Sequence, residues 1–200
     1  EYIVTPDKIM KEELFKKIIK QIEELEVPSI KLNWRGEPLL NPKILEFIDL
    51  AKKAGVIEVS INTNATTLDE KKAEKLINSG LDQIIFSFDG GSKKTYEKMR
   101  PGRFKDNKFD IIYENIKNFC LKKKELNKVF PITKIQMVMT KTTRNEVGSF
   151  FNLFSDIIDD VVVTQYQERG GNLDDVTDEQ KNKLQIYEKN NSIRQYIAKA

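Results

Sequence analysis

The sequence predicts an α/β fold built on parallel strands. Five short apolar runs alternate with amphipathic helical segments along the 200 residues, and glycine or proline separates most of them. Strict alternation of this kind implies parallel strands joined by right-handed crossovers. Polar residues also gather just after each apolar run, at the carboxyl ends of the strands, where such folds bind ligands.

The elements follow in order. Leu14, Phe15, Ile18, Ile19, Ile22 and Leu25 recur at helical spacing between about Lys11 and Leu25. Pro28 ends that helix, and Ser29 to Trp34 reads as a strand. Pro42 opens a helix whose inner face is Ile44, Leu45, Phe47, Ile48 and Ala51, and Gly55 closes it. Val56 to Thr63 is the second strand. A helix from Asp69, its cap, to Ser79 turns Ala73, Leu76 and Ile77 inward and stops at Gly80. Gln83 to Asp89 is the third strand, broken by Gly90-Gly91. Ser92 caps a short helix reaching about Arg100, and Pro101-Gly102 begins an irregular loop. A long helix runs from about Phe109 to Lys124, and the fourth strand from Thr133 to Thr140. Val147, Phe150, Phe151 and Phe154 mark a further helix, and Val161 to Gln167 the fifth strand.

Residues 1–171 thus form one α/β unit. Residues 172–200 read as a polar extension, weakly helical from about Asp178. The strands look like near-continuous apolar runs, as expected where both faces are covered. An open doubly wound sheet and part of a barrel both satisfy this pattern. The chain opens on a helix, so the expectation is a fragment lacking the strand before it.

Composition narrows the function. With 39% apolar residues, 9 Gly and 6 Pro, the chain has material for a core and no low-complexity character. The charge is only +3, from 34 basic and 31 acidic residues, so no nucleic-acid partner is predicted. Lys122-Lys123-Lys124 reads as a solvated helix end. No apolar run approaches the roughly 18 residues of a membrane span. The single cysteine and absent histidine exclude internal disulfides, Ser-His-Asp triads and His/Cys zinc sites, and point to a cytoplasmic setting. Cys120 follows Ile112, Ile116 and Phe119 on an apolar helical face and reads as a buried core thiol.

The strand ends carry the candidate site. The first offers Trp34-Arg35-Gly36-Glu37-Pro38, where glycine permits close approach of a ligand and proline biases Glu37 to extended backbone. The second offers Asn62-Thr63-Asn64, and the third Ser87-Phe88-Asp89-Gly90. Gln136 to Thr140 ends the fourth, and Gln165-Tyr166-Gln167-Glu168-Arg169 the fifth. Together they predict a rim that binds a small polar molecule.

Four of these segments carry a resemblance. Gly36-Glu37-Pro38-Leu39-Leu40 with Asn41-Pro42 resembles the Gly-Glu-Pro segment of radical S-adenosylmethionine enzymes. Thr63-Asn64 is similar to their Thr-Asn, and Ser87-Phe88-Asp89-Gly90 to their Ser-x-Asp. Tyr96 to Arg100 is similar to the helix that follows, all in family order over most of Lys11 to Gly171. The resemblance implies a partial (β/α) barrel of parallel strands, its first strand missing and about five present. It implies that Gly36, Glu37 and Pro38 hold the amino group of S-adenosylmethionine, and that Ser87 and Arg100, beside Asp89, hold its carboxylate or ribose. Thr63 and Asn64 would lie beside the ligand, Gln136 would face it, and Tyr166 would stack near the adenine.

In that family a [4Fe-4S] cluster on a C-x3-C-x2-C loop, fed by an electron donor, cleaves the cofactor to a 5′-deoxyadenosyl radical that takes a substrate hydrogen. One helical cysteine cannot hold such a cluster. The chain is therefore expected to be the core of a larger enzyme, cut after the cluster loop and inactive alone, and Arg169-Gly170-Gly171 stands about where the core would end. The parent would modify a peptide, sugar or small metabolite. Two alternatives stand beside it: a non-catalytic α/β binding module, and a metal-independent barrel enzyme using Glu37 and Asp89 as an acid-base pair. An exposed strand edge would permit a dimer.

Overall fold

A computed structural model describes residues 9–33, 36–102 and 108–166. The expectations for Trp34, Arg35, the residues after Tyr166 and the C-terminal extension lie outside the described residues. The chain alternates α1 (Glu12–Glu24), β1 (Ser29–Lys31), α2 (Ile44–Lys53), β2 (Glu58–Thr63), α3 (Glu70–Ile77) and β3 (Gln83–Ser87). It continues with α4 (Lys93–Met99), α5 (Phe109–Glu125), β4 (Ile132–Met139), α6 (Val147–Phe154) and β5 (Asp160–Gln165). Short 3-10 turns at Pro38–Leu40 and Arg144–Glu146 precede α2 and α6.

All five strands are parallel and lie side by side in chain order, β1-β2-β3-β4-β5. That order resolves the choice left by the sequence. A doubly wound sheet reverses its strand order and covers both faces with helices. Here the order never reverses, so right-handed crossovers place the helices on one face. The architecture is an α/β partial barrel.

The strands alternate accordingly. Val59 and Ile61, Ile84, Phe86 and Phe88, and Ile135 and Met137 are fully or almost fully buried in one core with Ile48, Leu76, Ile116, Phe119 and Phe154 of the helices. The other face carries Lys31, Ser60, Asn62, Ser87, Lys134, Gln136, Asp160 and Thr164, an even number of positions apart wherever two share a strand. The expectation of strands apolar on both faces is thus corrected: the second face is a concave wall on which polar residues outnumber the apolar Ile85, Ile132, Val138 and Val162.

Aromatic packing sets the end of β3. Phe88 stacks on Tyr96 of α4 at 4.1 Å between ring centres and meets Phe154 of α6 edge-on at 5.0 Å. Gly90, at φ +152°, lies so close to α4 that a Cβ would stand 2.6 Å from the Tyr96 nitrogen. Gly91 is pressed as tightly on the other side, against the Glu146 carbonyl and Phe150. The sharp turn after β3 therefore requires both glycines.

Two ion pairs lock the amino-terminal ends of the strands. Asp82, just before β3, accepts from the Val59 N–H of β2 at 2.7 Å and from Lys52 Nζ of α2 at 2.9 Å. Asp159, just before β5, repeats the arrangement with the Thr133 N–H of β4 at 2.8 Å and Lys123 Nζ of α5 at 2.6 Å. Lys123 is only 8% exposed, so the expected solvated helix end is corrected at its middle residue. Burial alone would push the Asp159 carboxyl up. The bonds from Lys123 and from the Thr133 N–H and hydroxyl outweigh that and hold it below its ordinary value.

Replacing Asp159 by Asn keeps the shape but loses the charge that three donors share, and is expected to cost about 2 kcal/mol in denaturant unfolding. Because the folded carboxyl is the stronger acid, its contribution is complete above the unfolded value of 3.8 and fades as pH falls below it. The denaturant midpoint of Asp159→Asn should accordingly fall less steeply with pH below 4 than that of the parent chain. Equal pH slopes for the two would contradict the assignment.

Candidate functional site

At the opposite, carboxyl ends of the strands, two further carboxylates are tied into the backbone. Glu37 follows β1 in extended conformation at φ −110°, ψ 112°, and caps the 3-10 turn through the Leu39 N–H at 3.1 Å. The same oxygen, Oε1, accepts the Thr63 hydroxyl at 2.7 Å, and Oε2 accepts the Asn64 N–H at 2.7 Å. Pro38 contributes by holding the residue before it extended, which aims the carboxylate at β2. Thr63 Oγ1 in turn accepts the Ala65 N–H at 3.0 Å, and Asn64 Oδ1 accepts the Thr66 N–H at 3.0 Å. Glu37, Thr63 and Asn64 therefore form one hydrogen-bonded cluster, with Gly36 and Pro38 adjoining it along the chain.

The second cluster sits at the end of β3. Asp89 is 7% exposed; its Oδ1 accepts the Val138 N–H of β4 at 2.7 Å, and its Oδ2 pairs with Arg100 Nε at 2.7 Å. Arg100 ends α4, its N–H bonded to the Tyr96 carbonyl at 2.8 Å. Ser87 is the register partner of Gln136, and Gln136 Nε2 donates to Thr164 Oγ1 of β5 at 3.2 Å. Tyr166 stands half-buried directly after β5. Nine of the ten residues lie on the concave wall or at the strand ends above it, and Arg100, at the end of α4, joins them through Asp89.

The geometry speaks against one alternative. An acid-base pair needs carboxylates able to exchange protons with a substrate. Glu37 and Asp89 instead each receive a backbone N–H, and Asp89 also carries an arginine.

The sequence reading missed Glu146. Its carboxylate accepts the Ser92 and Thr95 hydroxyls, each at 2.7 Å, and the Gly91 N–H at 2.8 Å, seating it at the start of α4. Burial pushes this carboxyl up, but the Thr95, Ser92 and Gly91 bonds prevail and hold it below the ordinary 4.5. It braces the turn between Asp89 and the start of α4. No local motif announced it, because its partners lie more than fifty positions upstream.

Comparison with known proteins identifies the family and the fold. The family model described as the radical SAM superfamily matches residues 4–153. A probable GTP 3′,8-cyclase of Pyrococcus horikoshii is 32% identical over 146 residues, which are 73% of this chain and 41% of that protein. A protein of the same description from Methanococcus maripaludis is 36% identical over 95 residues, covering 48% of this chain and 31% of that one. This chain thus spans well under half the length of these relatives. Among solved structures, Streptococcus suis SuiB bound to S-adenosylmethionine superposes with a TM-score of 0.67 at 20% identity, over 98% of this chain and 43% of SuiB. The enzyme anSMEcpe, with bound AdoMet and Kp18Cys peptide, gives 0.69 at 20% identity, over 92% and 52%. At such identities the likeness is one of fold.

Glu37→Gln retains the size of the side chain but turns one acceptor into a donor, facing either the Asn64 N–H or the Thr63 hydroxyl and Leu39 N–H. The expected loss is about 1–2 kcal/mol, or a melting point lower by about 2–8 °C for a chain of this size. Unchanged thermal unfolding in E37Q would show that the carboxylate does not hold β1 to β2.

Proposed function

The chain belongs to the radical SAM superfamily, and from that premise we propose that its strand-end rim binds S-adenosylmethionine within a longer enzyme. In the family that cofactor supplies, with a [4Fe-4S] cluster and an electron donor, a 5′-deoxyadenosyl radical that removes a hydrogen atom from substrate. The substrate class proposed for the whole enzyme is a peptide, sugar or small metabolite.

The cluster does not fit the described residues. Cys120, the one cysteine, is buried on α5 with its thiol pushed up to about 12 by burial. Among the described residues no group of three or more His, Cys, Asp and Glu is placed to hold a metal ion. We therefore assign this chain no electron-transfer step.

S-adenosylmethionine does fit the donor set. The observation that carries the reading is the Asp89-Arg100 pair. The Nε bond to Asp89 orients the Arg100 guanidinium near the end of β3, and a guanidinium so held would recognise a ligand carboxylate. A Cβ at Gly36, at φ +79°, would meet nothing within 4 Å, so the backbone there is open to a ligand. With the Glu37 carboxylate engaged by three donors, the cofactor's amino group would be taken by the Gly36 carbonyl, and Glu37 would position that carbonyl. Asn64, Gln136 and Tyr166 would border the nucleoside.

Amide-resolved NMR of this chain titrated with millimolar S-adenosylmethionine tests the proposal. Weak binding is expected, because no iron anchors the ligand. Shifts should concentrate at Gly36, Asn64, Ser87, Asp89 and Arg100 and spare Asp82 and Asp159 at the far ends of the strands. Shifts absent from the rim at 10 mM ligand, or no larger there than at Asp82, would overturn it.

A further inference from the structure

The concave wall below the rim holds a row that none of the proposed cofactor contacts uses. Register aligns Asn62 of β2, Ile85 of β3, Lys134 of β4 and Asp160 of β5 side by side. All four lie on the face opposite the helices, one pleat repeat (about 7 Å) deeper than Ser87 and Gln136. Lys134 Nζ pairs with Asp160 at 2.7 Å, and the lysine side chain is 26% exposed.

Asn62 is the anomaly. Its side-chain Oδ1 is buried and has no hydrogen-bond partner. Its backbone N–H is satisfied by Asn33 Oδ1 at 2.8 Å, so the strand does not need the carboxamide. A buried carbonyl left without a donor opposes folding, and native chains rarely keep one without use.

We propose that this row is a substrate subsite for a small hydroxylated or aminated acid. A hydroxyl or ammonium donates to Asn62 Oδ1, the carbon body crosses Ile85, and the carboxylate or phosphate meets Lys134. Two strand spacings, about 9.5 Å, separate the backbones of Asn62 and Lys134, a span that a chain of three to five atoms between its polar ends would bridge once both side chains reach inward. Asp160 holds the lysine in place and discriminates against a second anionic group. The inference rests on the radical SAM reading for calling the ligand a substrate, since the row faces the same concavity as the cofactor rim.

The probes are 4-hydroxybutyrate and butyrate, which differ only in the donor, with side-chain and backbone amide shifts as the readout. In the unaltered chain 4-hydroxybutyrate should shift the Asn62 carboxamide and the Ile85 and Lys134 amides, and bind at least fivefold tighter than butyrate. Asn62→Leu should equalise the two acids while leaving the melting temperature the same or higher, because the orphaned carbonyl is gone. Lys134→Met should weaken both acids at least fivefold. Equal binding of the two acids by the unaltered chain, shifts confined to other surfaces, or no shifts at 50 mM would overturn the subsite. A lower melting temperature in N62L would also count against it, by giving Asn62 a structural role. Titration of N62L with S-adenosylmethionine separates the two proposals. Retained rim shifts with lost discrimination support the subsite, whereas absent rim shifts in the unaltered chain defeat only the cofactor reading.

Discussion

Every seam of this sheet is closed by a carboxylate placed outside the strand it secures. Glu37 receives an N–H past the end of β2, and Asp82 one near the start of the same strand. Asp89 receives an N–H near the end of β4, and Asp159 one near its start. The four seams, taken in order, are thus fastened at the carboxyl end, the amino end, the carboxyl end and the amino end. Charge-assisted bonds of this type contribute about 1.5–3 kcal/mol each. Parallel strands have no hairpin turns to fix their register, so such side chains supply what the connections cannot.

The two fasteners at the carboxyl ends explain why structure and site share residues. Glu37 holds β1 to β2 beside Gly36; Asp89 holds β3 to β4 and orients Arg100. Glu146 adds a support from the far side of α4. A ligand at this rim meets groups whose positions are set by backbone bonds rather than by loop conformation, which lowers the cost of ordering them on binding.

Much of this was legible in the sequence. The helical spacings located α1 and α5 to within a residue or two, and the breaks at Gly90-Gly91 and Pro28 fell where the elements end. Cys120 lies in the core as its neighbours on the helical face required. The candidate residues were grouped in the sequence because most of them lie at or just after the end of a strand. Their bonds were not, since pairings such as Asp89 with Val138 N–H join positions 49 apart. The polar wall was misread because its alternation is short: Ser60 sits between Val59 and Ile61, and Gln136 between Ile135 and Met137, where single polar residues hardly interrupt an apolar run. Lys123 was misread because a run of three lysines gives no sign that its middle member faces an aspartate across the amino end of the sheet.

The depth of Cys120 has a practical consequence for spectroscopy. A thiol that stays protonated to about pH 12 and is 3% exposed is inert to maleimides and nitroxide reagents under native conditions. As the sole cysteine of the 200 residues, it leaves the surface chemically blank. A cysteine introduced anywhere on the exterior becomes a unique attachment point, so distances across the concavity can be followed by spin or fluorescent labels without first removing a native residue from the core.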